Sequence, residues 1–343
     1  LVFWLSAPVD QPPLVSLSSP WPDAQLQSPA PDSIVTAPTP VLATLTSGLA
    51  GQWTLDYRSR GASAWTPLQA GTLPASTDVT GELALFDPTL LHNGVYELRL
   101  TVQDVLGRSV SDTLALVVDG GMKIGHFQLA FEDLSLPLTG IPIQLLRTYD
   151  SRGGRAGDFG PNWDLGIRSV QVFETRTLGA RWMLDLTSTG LGGRWFFRSV
   201  DGERHLVSVV LGDDLQIFEA YTEPQGTILG PEPTAAVILF RPVHGSVGSL
   251  TSIDGAIAYP MIEEANGLYT ADDFGQGPLD PTRYVYTTPD GTRLEIEKIV
   301  GLRSLTDRHD NTLTLTEGGI THSSGQSIAF TRDAQGRITA ITD

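Results

Sequence analysis

Apolar and polar residues alternate with a period of two along most of this chain, and this pattern limits its fold more than any other feature. Tyr96, Leu98, Leu100 and Val102 occupy every second position of one such run. The polar residues between and beside them are Glu97, Arg99, Thr101 and Gln103. Successive side chains of a β-strand point to opposite faces of its sheet. The four apolar side chains are therefore predicted to be buried and the polar ones more exposed.

Turn dipeptides separate the alternating runs. Asn-Gly or Asp-Gly stands at 93–94, 119–120, 201–202, 254–255, 266–267 and 290–291. These dipeptides supply the positive φ angles that tight hairpins need. No window of about twelve residues carries a helical apolar stripe with caps. The chain is predicted to be all-β.

Composition excludes several classes of protein. The 343 residues carry 22 basic and 39 acidic side chains, a net charge of −17, which argues against a nucleic-acid partner. The absence of cysteine excludes disulfides, cysteine-based metal sites and thiol nucleophiles. No apolar run reaches the roughly 18 residues of a membrane-spanning helix. We expect neither a cofactor nor a membrane span.

Four segments are predicted from the spacing of prolines and turns. Residues 1–32 contain seven prolines and are predicted to be a linker or extended arm. Residues 33–119 have the strand spacing of an immunoglobulin-like β-sandwich, with Trp53, Trp65 and Tyr96 in its core. A hinge is predicted at 119–121. Hairpins continue over 120–300, and weakly repeating hairpins occupy 301–343.

Two of these segments resemble the Rhs family, also called YD-repeat proteins. One runs over 138–163 and includes Arg147, Tyr149, Asp150 and Arg152, followed by Phe159, Gly160 and Trp163. The other runs over 330–343 and includes Asp333, Gly336 and Arg337. The segment 86–96 is similar to a module often fused in front of such proteins. These ten named residues are the predicted structural motif, and those at 147–163 are expected to anchor the start of a shell.

The resemblance implies a hollow β-sheet shell wound as a strip of hairpins. In bacterial members the shell encloses a C-terminal toxin, and in animal teneurins a related shell belongs to an adhesion ectodomain. The implied function is a structural segment of an exported bacterial protein, secreted or at the cell surface. Its implied partners are a downstream toxin or effector domain of the same polypeptide and a secretion or cell-surface component. An adhesive or carbohydrate-binding surface protein is the alternative.

The repeats stop at Asp343, directly after an alternating run. A strip of hairpins that stops at a strand leaves one edge unpaired. The repeat region is therefore expected to be truncated, with a free edge.

No catalytic motif is visible, and an enzyme is not expected. The acidic doublets 213–214, 263–264 and 272–273 are interpreted as solvated turn residues, because neighbours on a strand face opposite ways. A Ca²⁺ site formed by Asp272, Asp273 and Asp280 is left as an alternative, although their spacing is not that of an EF-hand. The six histidines include no His-Glu-x-x-His and are expected to be structural or exposed. Trp182 and 195–197 are expected in a core rather than in a sugar-stacking platform.

Overall fold

The computed structural model describes residues 20–152, 156–187, 193–200, 202–224, 232–254, 257–260, 267–269 and 277–343. Its regular elements in these ranges are β-strands and two single-turn 3-10 segments, Pro88–Leu90 and Gly166–Ser169. The all-β class predicted from the alternation is confirmed. Nowhere in these ranges is a helix long and apolar enough to cross a membrane.

The first part of the chain is a sandwich of two sheets. Its strands are β1 (Asp23–Ser28), β2 (Ile34–Val35), β3 (Thr39–Ser47), β4 (Gly51–Ser59), β5 (Thr66–Leu73), β6 (Thr77–Phe86), β7 (Gly94–Asp104) and β8 (Ser109–Val118). The orders are β1-β3-β6 in one sheet and β2-β8-β7-β4-β5 in the other. An apolar core fills the space between the sheets.

Strand β7 lies near the centre of the larger sheet, between β8 and β4. Its side chains Tyr96, Leu98, Leu100 and Val102 are all buried, as the alternation predicts. Trp53 on β4 lies directly opposite Val102 and belongs to the same core. Burial of these side chains is the main favourable term in the stability of the sandwich.

Glu97 departs from the predicted pattern. Its residue is only 7% exposed, although it is a polar residue on the face away from the core. Arg58 donates to Glu97 Oε2 over 2.5 Å, and Arg60 donates to Oε1. The two guanidinium groups cover the carboxylate, so burial here comes from ion pairing rather than from the sheet's apolar face.

Trp65 is the second departure. It is half-buried and lies outside the sandwich core. The guanidinium carbons of Arg58 and Arg99 lie 4.3 and 4.1 Å from the ring centroid. Cation–π contacts of this kind hold an aromatic ring at a surface. The prediction that Trp65 forms part of the core was wrong for that reason.

Strand β1 lies within the span predicted to be a proline-rich arm. Residues 1–19 are outside the described ranges, but residues 23–28 pair with β3 and bury Ala24 and Leu26 in the sandwich core. Leu26 N–H also donates to Asp112 Oδ2 over 2.7 Å. The prolines at 20, 22, 29 and 31 flank this strand without interrupting it, so proline content alone was misleading.

The second part of the chain begins after β8, and its described residues form four further sheets. Its first strands are β9 (Gln128–Leu136), β10 (Ile143–Asp150), β11 (Ala156–Gly157), β12 (Gly160–Pro161), β13 (Trp163–Leu165), β14 (Val170–Glu174), β15 (Trp182–Leu186), β16 (Trp195–Ser199), β17 (Leu206–Leu211), β18 (Asp214–Thr222) and β19 (Ala236–Val243). The rest are β20 (Ser249–Ser252), β21 (Ile257–Pro260), β22 (Leu268–Tyr269), β23 (Arg283–Thr287), β24 (Arg293–Glu297), β25 (Gly301–Thr306), β26 (Thr312–Thr316), β27 (Gly319–His322), β28 (Ser327–Arg332) and β29 (Ile338–Thr342).

Sheet order in this part follows chain order closely. The sheets are β11-β12-β13-β10-β9, β14-β17-β18-β19-β21-β22, the pair β15-β16, and β20-β23-β24-β25-β26-β27-β28-β29. We call the last of these the meander sheet. The predicted boundary at 300/301 falls between β24 and β25, which are hydrogen-bonded neighbours in it. The sheet therefore continues across that boundary.

The inner face of the meander sheet is filled by side chains. Tyr284 and Tyr286 on β23 are buried and pack edge-on against Phe240 and Phe218 of the six-stranded sheet, at centroid distances of 5.9 Å in both cases. A single apolar cluster runs through these sheets. Over the described residues this face packs into a core rather than lining a chamber.

One five-residue turn closes hairpins in both parts of the chain. It occurs at 104–108, 288–292, 307–311, 322–326 and 333–337. In each, the first N–H donates to the fifth carbonyl and the fourth N–H to the first carbonyl. The fourth residue has positive φ, from 63° to 93°. This is the three-residue hairpin loop with a glycine-type bulge.

The aspartates that begin three of these turns also cap them. Asp333 Oδ1 accepts from the N–H groups of Gln335 and Arg337 over 3.0 and 2.9 Å. Asp104 and Asp307 make the same pair of bonds two and four residues ahead. Because Asp104 lies in the sandwich, this sequence pattern marks a kind of turn and not a repeat. The Asp307 turn joins β25 to β26 in the middle of the meander sheet, whereas the Asp333 turn joins β28 to the edge strand β29.

Candidate functional site

A cleft of about 510 Å³ lies where the two parts of the chain meet. It is lined by His92 and Asn93 from the sandwich and by Lys123, His126 and Asp213 from the second part. Asn93 Nδ2 donates to the Asp213 carbonyl over 3.3 Å, and Asn93 Oδ1 accepts from Gly120 N–H over 2.9 Å. The walls are polar and charged, and their side chains come from loops that two sheets position.

Arg152, one of the predicted motif residues, fastens the sandwich to the second part. Its guanidinium donates to the carbonyls of Thr89 and Leu91, over 3.3 and 3.5 Å, and to that of Ile124. Thr89 and Leu91 belong to the loop before β7, whereas Ile124 lies in the connection to β9. This guanidinium fork therefore pairs three main-chain carbonyls from two segments of the chain at once.

Two histidines converge on Asp150, another predicted motif residue, at the end of β10. The Nε2 atoms of His92 and His126 lie 3.4 and 3.1 Å from Asp150 Oδ1. The two rings meet edge-to-face at a centroid distance of 5.0 Å. The carboxylate is fixed from its other side by Gln128 Nε2, which donates to Oδ2 over 3.2 Å. The cluster is half-buried.

Burial and hydrogen bonds set the protonation of this cluster. Burial lowers the pKa of His92, against the attraction of Asp150, and the neighbouring His126 lowers it further. Burial alone would raise the pKa of Asp150. The hydrogen bond from Arg152 N–H, the charge of His92 and the bonds from Gln128 and His126 together lower it instead. A neutral His92 beside an ionised Asp150 is the state these shifts favour at neutral pH.

Four aromatic rings form a row on the sheet that carries β10. Tyr149 lies 5.6 Å from Phe127 and 5.1 Å from Trp163, and Trp163 lies 6.0 Å from Phe131, between ring centroids. Arg147 lies over this row, 5.5 Å from the Trp163 centroid, and pairs with Asp133 over 3.0 Å. Phe127 and Phe131 are 54% and 48% exposed. The row is open to solvent rather than buried.

The remaining motif residues lie in two segments that contact each other at Asp158. Phe159 packs against the apolar cluster, and Gly160 has a φ of 131° that other residues rarely adopt. The Asp158 carbonyl accepts from Ile338 N–H over 2.6 Å, and Asp158 Oδ1 accepts from Arg332 over 2.9 Å. The segment near Gly160 therefore contacts the hairpin β28–β29, whose turn holds Asp333, Gly336 and Arg337. One N–H of the edge strand β29, that of Ile338, is therefore hydrogen-bonded, although this edge was expected to be free.

The acidic residues singled out in the sequence have separate roles. Asp213 accepts from Gln128 over 2.8 Å at the rim of the cleft. Asp280 pairs with Lys298. The doublets at 263–264 and 272–273, and with them most of the open Ca²⁺ site, lie outside the described residues.

The structure brings together residues that sequence reasoning kept apart. Asp150 was identified, but His92 and His126 were set aside because neither has a ligand-like neighbour in sequence. They lie 58 and 24 positions before Asp150. Only the pairing of β9 with β10 and the docking of the sandwich bring them to it. No local signal in the sequence could have found the cluster. Trp182 and Phe197 are buried, as expected for a core, whereas Trp195 and Phe196 are half-buried and lie outside the apolar cluster.

Comparisons with known proteins add little. No protein-family model matches the sequence, and no curated protein matches it. Among solved structures, the chain is similar to a DUF4784 family protein from Bacteroides caccae ATCC 43185, with 8% identity over 84% of this chain and 96% of that one. The TM-score is 0.16, too low to support an argument about fold or function.

Proposed function

We propose that this chain is a structural segment of an exported, Rhs-type bacterial protein whose β-sheet wall encloses a toxin or effector further along the polypeptide. The observation that carries the proposal is the meander sheet, in which β23 to β29 are neighbours in chain order. Further hairpins can pair with the last strand of such a sheet without changing the strands already formed. That is how a wall would grow.

The packing favours a particular place for this segment in the wall. The meander sheet buries its inner face against the six-stranded sheet, and the sandwich is fastened to that body by Arg152. A filled core supplies stiffness and no internal volume. In this proposal the segment is therefore the solid base from which the wall begins.

No turnover is proposed for this segment. The conspicuous carboxylates are engaged in turns and ion pairs, as Asp333 and Glu97 are. Purified chain should not turn over glycoside, ester or peptide substrates. Turnover of any of these substrates that is abolished by changing one carboxylate would contradict this part of the proposal.

The encapsulating role is tested on the full polypeptide. Its C-terminal domain should resist protease while the wall is folded, and should become cleavable at the denaturant concentration that unfolds the wall. A C-terminal domain that is cut as fast in the intact protein as alone would overturn the proposal. The matched control is the same domain expressed without the wall.

The aromatic row favours a second candidate, carbohydrate binding at a cell surface. Phe127 and Phe131 are exposed, Tyr149 and Trp163 are half-buried, and neighbouring centroids lie 5.1 to 6.0 Å apart. Such rings offer apolar faces for stacking sugars, and Arg147 and Asp133 beside them offer hydrogen bonds. In this candidate the platform would lie on the sheet of β9, β10 and β13 rather than at 195–197.

A glycan array separates the two candidates. Binding that falls at least about tenfold in Trp163→Ala and stays unchanged in Trp21→Ala would support the surface-binding role. Trp21 is a suitable control because it is an exposed ring far from the row in sequence and in contact with Arg108 instead. If the wild-type chain binds no glycan, the structural role is the candidate that remains.

A further inference from the structure

We propose that His92, His126 and Asp150 form a binding site for a divalent transition-metal ion, with Zn²⁺ as the best fit, at the junction between the sandwich and the second part of the chain. Two imidazole nitrogens and one carboxylate oxygen are a common three-ligand zinc set. The site is independent of the structural role proposed above.

The donor atoms have the spacing of ligands around one ion. Zinc bonds of about 2.0–2.2 Å in a tetrahedron place neighbouring ligand atoms about 3.3 Å apart. The Nε2 atoms of His92 and His126 lie 3.4 and 3.1 Å from Asp150 Oδ1. One ligand atom from each of the three residues lies within 4.8 Å of the others. Little movement is needed to receive an ion.

Outer contacts hold the ligands in this arrangement. Arg152 N–H donates to Asp150 Oδ1 over 2.8 Å, and Gln128 holds Oδ2. Hydrogen bonds to a ligating carboxylate are a regular feature of metal sites, because they hold the ligand in its binding orientation.

The charges around the site permit a cation. Arg152 and Lys123 oppose a positive ion, but the Arg152 guanidinium is bound to main-chain carbonyls. Asp119 and Asp213 line the cleft and supply negative charge there, in addition to the carboxylate of Asp150 in the cluster.

Access and consequence follow from the position of the cluster. The two histidines line the open cleft, so an ion can enter from solvent. Three protein ligands leave a fourth zinc position for a water molecule. His92 belongs to the sandwich, whereas His126 and Asp150 belong to the second part. A bound ion would add a cross-link between them beside the Arg152 fork, and would raise the melting temperature of the whole chain.

Calorimetric titration of the full chain with ZnCl₂ tests the inference. We expect one ion per chain, and a visible absorption spectrum of tetrahedral type when Co²⁺ replaces Zn²⁺. His126→Gln and Asp150→Asn should each weaken binding by more than about 100-fold, beyond the usual effect of losing an outer contact. Mg²⁺ should not compete, since nitrogen ligands favour transition metals.

His244→Gln is the matched control. His244 also faces an aspartate across 3.4 Å, Asp119, at the same junction, but it has no second histidine in that pair. The His244→Gln substitution should leave the zinc affinity of the chain unchanged. Circular dichroism and melting of each metal-free variant separate lost binding from lost folding, and His92→Gln serves if another variant does not fold. No zinc binding by the wild type, or equal affinity in wild type and folded His126→Gln, would overturn the inference.

Discussion

At the scale of single residues, partners rather than periodicity decide which polar side chains are buried. Glu97 and Glu174 both lie on strands and both are nearly inaccessible. Glu97 is neutralised by two arginines at the rim of the sandwich. Glu174 is buried more deeply: it accepts from Tyr284 Oη and lies 2.7 Å from Lys298 Nζ. Burial raises the pKa of Glu174 to about 7, against the effect of Lys298.

Glu174 should make the chain less stable as pH rises. Its pKa is about 7 in the folded chain against 4.5 in the unfolded one, so the folded chain holds the extra proton between these values. Stability is therefore lost between about pH 4.5 and 7, by up to about 3 kcal/mol from this group. Glu174→Gln should remove that slope. Urea unfolding of both proteins at intervals from pH 5 to 8 checks it; parallel curves would contradict it.

At the scale of elements, the strands could be predicted from the sequence but their neighbours could not. The alternation at 96–102 gave the correct buried apolar residues but not the burial of Glu97, and the Asp-x-x-Gly pattern at 333–336 marked a real turn. The same pattern suggested that Asp307 and Asp333 begin equivalent repeats. Their positions in the sheet are not equivalent, since the first turn joins two central strands and the second joins the edge strand. Five residues set the chemistry of a turn, whereas the whole sheet sets the order of its strands.

The Asp333 turn offers a test of that local chemistry. Asp333→Ala removes the acceptor of two main-chain N–H groups and of Arg337 Nε, which lies 2.7 Å away. Amide exchange at Gln335 and Arg337 should then speed up by about three- to tenfold. Gln335→Ala is the control, since the turn uses the main chain of that residue. Equal exchange in the two variants would show that the carboxylate does not hold the turn.

At the scale of the whole molecule, contacts that no local pattern reveals join the two parts. The sequence predicted a hinge at 119–121. Instead Val95 and Val117 of the sandwich pack with Leu206 and Ile217 in an apolar cluster of their own. Close to this cluster, Asp32 is buried and pairs with Arg176. Residues that meet across the junction between the two parts stand about 60 to 190 positions apart in the sequence. Their contact therefore depends on the completed fold.

The buried pair should decide whether the two parts unfold together. Asp32 Oδ2 accepts from Arg176 and, over 3.1 Å, from Arg204 N–H, so Asp32→Ala removes an acceptor from both donors. Removing one partner of a buried pair typically costs about 3–5 kcal/mol. We expect the lower end here, because Glu203 also holds Arg176 over 2.5 Å.

Wild-type chain should therefore melt in one transition, and Asp32→Ala in two, with the parts unfolding separately. Calorimetry measures this, and hydrogen exchange at Leu206 and Val117 identifies the part that opens first. The control is Asp133→Ala, which breaks the exposed pair with Arg147 and should cost less than about 1 kcal/mol. Two transitions in the wild type would mean that the apolar cluster and the Asp32 pair do not couple the parts. A single transition in Asp32→Ala would assign the coupling to the apolar cluster and the Arg152 fork instead.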